Sequence, residues 1–146
     1  MPKAVVHSLK FGRAQAAAKD IAAAMAASLE TATFTAIVPV PTVSARVRKR
    51  GYDQAALIAR ELARLTGLPY ASLLIRTGGS RQVGHTRIER RQQMERAFRA
   101  VDPAAQYSHV LLIDDVITTG ATCEAAARTL RQAGVASVSA AVFAAA

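Results

Sequence analysis

The chain has 146 residues, 51% of them hydrophobic, which favours one folded domain with a real core and excludes a disordered segment. A net charge of +9 calls for an anionic partner, a phosphorylated small molecule or a nucleic acid, but aromatics at 5% and no tryptophan leave base-stacking platforms poorly supplied. The lone cysteine, Cys123, excludes an intrachain disulfide and a Cys-x-x-Cys zinc site and fits a reducing, cytoplasmic setting, and no apolar run is long enough to span a membrane.

Lys3, Lys10, Arg13 and Lys19 ahead of "IAAAMAAS" loosely mimic a secretory signal. An amphipathic helix explains the stretch better: Ala14 to Leu29 reads as helical, with Ile21, Met25 and Leu29 at four-residue spacing. "FTAIVPV", Phe34 to Val40, reads as a short buried strand that stops at Pro41. "PTVSARVRKRG" is a polar and basic connection. Asp53 can cap a helix to about Thr66, with Leu57, Ile58, Leu62 and Leu65 as its apolar stripe, and Gly67 and Pro69 end it. "YASLLIR", Tyr70 to Arg76, reads as a second strand broken by "TGGS", and a basic segment follows with a helix near Ile88 to Phe98.

"HVLLID", His109 to Asp114, is a third strand, whose unbroken apolar run suits burial on both faces, as in a parallel sheet. Gly120 opens a helix to about Gln132, Gly134 closes it, and "SVSAAVF", Ser137 to Phe143, is the last strand. Strands separated by helices predict an α/β fold, an open and mostly parallel sheet flanked by helices, with ligands at the carboxyl ends of the strands. One domain over 1–146 is expected, its first thirty residues helical and 34–146 forming the core; no repeat or linker marks a second.

The stretch "VLLIDDVITTGAT", Val110 to Thr122, sits where such a sheet holds its ligands. Adjacent side chains on a strand face opposite ways, so Asp114 and Asp115 can reach one ligand only if the chain is leaving the strand at Asp115. Thr118 to Thr122 then form a loop that turns into a helix N-terminus, where backbone N–H groups and the helix dipole favour a phosphate. Gly120 lets the backbone come close, and the hydroxyls of Thr118, Thr119 and Thr122 can add donors. Carboxylates accept hydrogen bonds from sugar hydroxyls and can hold Mg²⁺ directly or through water. One stretch thus offers a ribose-and-cation end and a phosphate end, as a ribose 5-phosphate with a metal nearby requires. The competing reading, an aspartate capping the turn beside ordinary loop threonines, would suit an isolated Asp-Asp better than the whole thirteen-residue string.

That string resembles the phosphoribosyl pyrophosphate (PRPP) signature of type I phosphoribosyltransferases, whose fold is Rossmann-like. The rest of the chain resembles their ComF/GntX-type branch. "VPVP" followed by "RGYDQAALIARELA" is similar to that branch's RGF/Y-N-Q segment, and "RTGGSRQVGHTRIERRQQMERAF" to its R-x-T…Q…R…N…AF segment. "LKFG" is similar to its Leu-Lys-Phe/Tyr stretch. The resemblance covers most of the chain, with the motifs in the right order.

The resemblance implies that Asp114 and Asp115 are catalytic, meeting the ribose 2′- and 3′-hydroxyls with Mg²⁺ bridging hydroxyls and diphosphate. It gives Thr118, Thr119, Gly120, Ala121 and Thr122 the 5-phosphate, Arg50 and Gly51 the diphosphate loop, and Arg76, Gln82 and Arg90 a mobile flap with Gly78 and Gly79 as hinges. The charge map agrees: four basic residues lie in 46–50 and seven arginines in 76–99, together eleven of the nineteen, and arginine binds diphosphate bidentately. Arg46 and Lys49 read equally well as a solvated face. His85, Gln93 and Asp53 depart from the branch, which usually has leucine at the first and asparagine at the other two. Cys123 reads as a small buried hydrophobe, although the helix dipole could lower its pKa. The branch commonly carries a cysteine-rich zinc segment ahead of the PRPP domain, and this chain shows none; it is a short form or its start has been trimmed.

Two functions follow from different classes. One is a Mg²⁺- and PRPP-dependent phosphoribosyltransferase whose acceptor is unknown, since the hood that holds the acceptor in the family cannot be identified here. The other is a PRPP-binding protein without transferase activity that acts in competence and DNA uptake, with weak nucleic-acid binding. Homodimers are common for this architecture.

Overall fold

The computed structural model describes residues 3–30, 33–42, 51–77, 86–89, 97–101, 104–116 and 120–144, with side chains for all of these except 3–11, 115–116 and 143–144. In chain order the elements are α1 (Lys3–Ser28), β1 (Ala36–Pro39), α2 (Gln54–Thr66), β2 (Leu74–Arg76), β3 (Phe98–Ala100), a 3₁₀ turn (Ala104–Gln106), β4 (His109–Val116), α3 (Ala121–Gln132) and β5 (Ser137–Ala144).

β1, β4 and β5 form a parallel sheet in that spatial order, with Ala36 opposite Val110 and His109 opposite Ser137. On the far side of β1, Ile37 makes a parallel bridge to Tyr70: its N–H donates to Pro69 O (2.8 Å) and its carbonyl accepts from Ala71 N–H (3.0 Å). Pro39 has the same parity as Ile37 and lacks the N–H that would extend this side of the ladder. That is why the expected strand Tyr70 to Arg76 divides. Its start touches β1 at one bridge, and Leu74–Arg76 pairs antiparallel with Phe98–Ala100 instead. Phe98, expected to end a helix, is therefore a strand residue. The helix in that region is seen at 87–89, opened by a capping box in which Thr86 Oγ1 accepts from Glu89 N–H (3.2 Å) and Glu89 Oε2 accepts from Thr86 N–H (3.0 Å).

Alternation along the strands sorts the core into two layers. Ile37, Leu111 and Ile113 face α1 and α2, packing with Ala18, Ala22, Met25, Ile58, Ala59 and Leu62. Ala36, Val38, Val40, Val110 and Leu112 face α3 and the β2–β3 ribbon, packing with Leu73, Leu74, Phe98, Ala126 and Leu130. Both faces of β1 and β4 are thus covered, as parallel strands require.

The helices follow local chemistry. α2 starts at the Asp53 cap and ends at Gly67, whose left-handed φ of 76° a side chain would resist and whose N–H donates to Ala63 O. Its buried face is Ala55, Ile58, Ala59, Leu62 and Ala63; Leu65, expected in the stripe, is exposed. α1 likewise buries Ala14, Ala18, Ala22 and Met25, while Ile21 and Leu29 are partly covered. Small side chains on both helices let their backbones approach closely. Among the described residues, no helix is long and apolar enough to cross a membrane.

Candidate functional site

The chain leaves β1 through α2 toward Tyr70 on one side of the sheet, and leaves β4 through α3 toward β5 on the other. The winding direction reverses between β1 and β4, and in open α/β sheets the crevice outside the carboxyl ends at such a reversal is where ligands bind. The carboxyl ends here are Pro39 to Thr42 on β1 and Asp114 to Val116 on β4.

Asp114 has the parity of Val110 and Leu112, so it lies on the α3 face. It is 7% exposed and is the one buried polar or charged side chain among the described residues. An ionised carboxylate in such a place needs donors. One is Cys123 in the first turn of α3, whose Sγ–H donates to Asp114 Oδ2 at 3.3 Å. Burial first, then the Asp114 charge and this hydrogen bond, push the thiol up to about 12. Cys123 is therefore a protonated donor, which agrees with the small-hydrophobe reading; its bond to Asp114 has no signature in the sequence, because it depends on how α3 seats against β4.

This makes a testable alkaline effect. The folded thiol ionises near 12 against an ordinary value of 9.0. The stability it contributes is full below pH 9 and is lost as pH rises from about 9 through 12, because only the unfolded thiol gives up its proton in that window. Cys123→Ala is expected to flatten the alkaline limb of the unfolding midpoint against pH. Parallel limbs in wild type and variant would remove the assignment.

α3 begins at Gly120, in the left-handed region at φ 76°, a cap residue that has no side chain of its own to offer the first turn. A helix N-terminus presents amides without intrahelical acceptors, together with the positive end of the dipole. Gly120 and Thr122 are half-buried and Ala121 is exposed at this end of the sheet. Thr118 and Thr119 lie outside the described residues. At Asp115 the backbone differs from the expectation: the strand does not end there but runs on to Val116, which pairs with Ala144. The hydrogen-bonded ladder with β5 holds the chain extended past the acidic pair.

Gly51, at φ 82°, is exposed just before α2, while Arg50 lies outside the described residues. Arg76, expected on the flap, stands at the end of β2. Its Nη1 donates to Pro41 O (3.1 Å) and its guanidinium lies 5.1 Å over the Phe98 ring, which brings one cation to the exit of β1. Gln82 and Arg90, with Gly78, Gly79, His85, Gln93, Arg46 and Lys49, lie outside the described residues. Asp53, read as a cap and as a departure from the branch, also binds Thr42, a residue without a sequence signal of its own. His109 is at the opposite end of β4, where its ring nitrogens lie 3.0 Å from Thr33 O and 3.3 Å from Ser139 Oγ; it belongs to the scaffold.

Magnesium takes oxygen donors and commonly uses one or two carboxylates beside substrate phosphates. The Asp114 carboxylate fits that part. Among the described residues no group of three or more His, Cys, Asp or Glu could hold an ion unaided. The donor set suits an ion shared with a phosphate ligand.

The fold and its crevice define an open α/β domain with a buried acid and a helix N-terminus at the winding reversal. Residues 8–146 match the phosphoribosyl transferase domain, and the chain belongs to that family. It is 36% identical over 104 residues to Competence protein F of Haemophilus influenzae, spanning 68% of this chain and 45% of that protein. It is 33% identical over 148 residues to DNA utilization protein YhgH of Salmonella typhi, spanning 92% of this chain and 63% of that protein. The chain thus spans about half to three fifths of the length of these curated relatives. Glutamine PRPP amidotransferase from B. subtilis, solved with ADP and GMP, superposes with a TM-score of 0.62 at 23% identity, over 87% of this chain and 26% of that one, and shares its fold.

Proposed function

We propose that this chain binds PRPP with Mg²⁺ and transfers the phosphoribosyl group to an acceptor, displacing diphosphate from C1. One observation carries the reading: Asp114, a buried carboxylate, stands toward the carboxyl end of β4, at the winding reversal, beside the N-terminus of α3 that begins at Gly120.

In this reading Asp114, on the α3 face, accepts hydrogen bonds from the ribose 2′- and 3′-hydroxyls, and Asp115 joins it when ligand binding releases the chain from the β5 ladder at that position. Thr118, Thr119, Gly120, Ala121 and Thr122 hold the 5-phosphate through amides and hydroxyls. Arg50 and Gly51 form the diphosphate loop, and Arg76, Gln82 and Arg90 belong to the flap that closes over the diphosphate. Mg²⁺, when bound, would be held by Asp114 and diphosphate oxygens, with Asp115 added on the same release of the strand, and would offset charge on the leaving group. The C1–oxygen bond to diphosphate breaks, its electron pair leaves with the diphosphate, and the acceptor's lone pair forms the new bond to C1 while the acceptor loses a proton. Positive charge grows on the ribose and negative charge on the leaving group. The protein's part is to fix the geometry and set cations where the negative charge develops. No side-chain nucleophile is needed.

Calorimetric titration of PRPP with and without Mg²⁺ tests the binding, and diphosphate release in the presence of amine and nucleobase acceptors tests the transfer. Binding at micromolar PRPP only with Mg²⁺ is the expected result, with micromolar standing for roughly 8 kcal/mol. A folded protein that binds no PRPP overturns the proposal.

A second reading is favoured by the names of the relatives, which concern competence and DNA utilization, and by the net charge of +9. Here PRPP is bound but not turned over, and the protein contacts DNA. This version expects single-stranded DNA binding that falls steeply with salt, and no diphosphate release with any acceptor.

A further inference from the structure

We infer that Asp53 is a positioning residue: its carboxylate ties the exit of β1 to the start of α2 and so fixes both ends of the basic connection that carries Arg50. The inference rests on the reading of that connection as the diphosphate-binding segment.

An ordinary N-cap uses one side-chain oxygen to accept from the helix's first turn. Asp53 uses both of its oxygens and reaches across the chain. Oδ1 accepts from Ala56 N–H (3.3 Å) and from Thr42 Oγ1–H (3.0 Å), and Oδ2 accepts from Thr42 N–H (3.3 Å). Thr42 lies eleven positions earlier, three residues past Pro39, the last residue of β1. Its neighbour Pro41 is held from the other side by Arg76 Nη1 at 3.1 Å. The exit of β1 is thereby gripped by α2 and by β2 at once.

Three donors converge on one carboxylate, and that count sets the residue type. Asparagine has one acceptor oxygen and an NH₂ group. If the amide oxygen keeps the cap, the NH₂ faces the Thr42 N–H, two donors with nothing between them. Aspartate avoids the conflict, and its charge also suits the helix N-terminus. A segment that grips a diphosphate has to be held in place, since a displacement of about 1 Å can cost on the order of a hundredfold in rate.

Asp53→Asn separates capping from positioning, because asparagine is as good an N-cap as aspartate. The variant is expected to lose only about 2–4 °C of melting temperature, the scale of one lost hydrogen bond, and to keep the slow exchange of the Ala56 amide, while the Thr42 amide exchanges faster. Its Kd for PRPP is expected to rise about tenfold, the scale of one or two lost hydrogen bonds. Its Kd for ribose 5-phosphate, which has no diphosphate, is expected to stay within about twofold, a margin well under one hydrogen bond. Thr42→Val is expected to reproduce the PRPP loss and to add little in the Asp53→Asn background, as residues acting through one contact do. An unchanged PRPP Kd in Asp53→Asn, or equal losses for PRPP and ribose 5-phosphate, overturns the inference and leaves the PRPP reading standing. A wild type that binds neither ligand removes both.

Discussion

Asp114→Asn is expected to weaken PRPP binding on the order of a hundredfold and to leave the fold intact. The carboxylate is 7% exposed at the end of β4, so its contacts with a ribose form out of bulk water. Hydrogen bonds to a charged group are worth roughly 1.5–3 kcal/mol, or about ten- to a hundredfold in affinity. Asparagine keeps the volume and still accepts from the Cys123 thiol, which now donates to an amide oxygen. It also removes a charge that is costly to bury, so the melting temperature is expected to hold or rise. Calorimetry and a thermal melt on the same protein give both numbers. Weaker binding in a destabilised variant would mean damage to the fold. Unchanged binding in a stable one would mean that the acid at the winding reversal does not touch the ligand, and the assignment of the site would fall.

Leu62→Ala is expected to cost about 3 kcal/mol of stability, and Leu65→Ala no more than about 0.5 kcal/mol, although the two leucines share one helix. Leu62 is fully buried in the layer formed with Ile37, Leu111 and the alanines of α1, so its loss leaves a cavity between sheet and helices. Leu65 is 43% exposed near the end of α2. Urea unfolding of the two variants measures the difference directly. Equal losses would mean that the face of α2 turned toward α1 has been misassigned.

That contrast also shows why parts of the fold were readable in the sequence and others were not. β4, α3 and β5 were legible because each carries its own signal: an unbroken apolar run, a glycine at the turn, and a final stretch with Val138, Val142 and Phe143 after Gly134. α2 was legible at both ends, from Asp53 and Gly67, but not on its buried face. Large side chains mark a stripe, whereas Ala59 and Ala63 are buried because the alanines of α1 come close to them, and alanine carries little signal of its own. The division of 70–76 was hidden because it depends on Pro39, thirty-one positions before Tyr70, withholding one N–H. Phe98 was hidden because its partner strand is Leu74–Arg76.

In the candidate site, the thirteen-residue string announced itself through residue types that phosphate and ribose demand. The Cys123–Asp114 and Thr42–Asp53 bonds did not, since each joins groups that only the folded chain brings together. Asp115 marks the limit of local reasoning. Nothing within the string tells that the ladder with β5 continues to Val116.

The pairing of β1 with β4 also constrains the order in which the chain can fold. Thr35 and His109, at the open end of that ladder, bond across 74 positions of sequence. Closing so long a loop costs entropy before any contact repays it, and parallel pairing of this kind is slow. During synthesis, α1, β1 and α2 emerge well before β4 exists, and β1 then has apolar faces and no partner on that side. The alanine contact between α1 and α2 is available early, whereas the crevice between the strand ends forms only when β4 inserts. The acidic strand that supplies the candidate binding site is therefore also the one that completes the core, so the site cannot exist in a chain whose centre is still open.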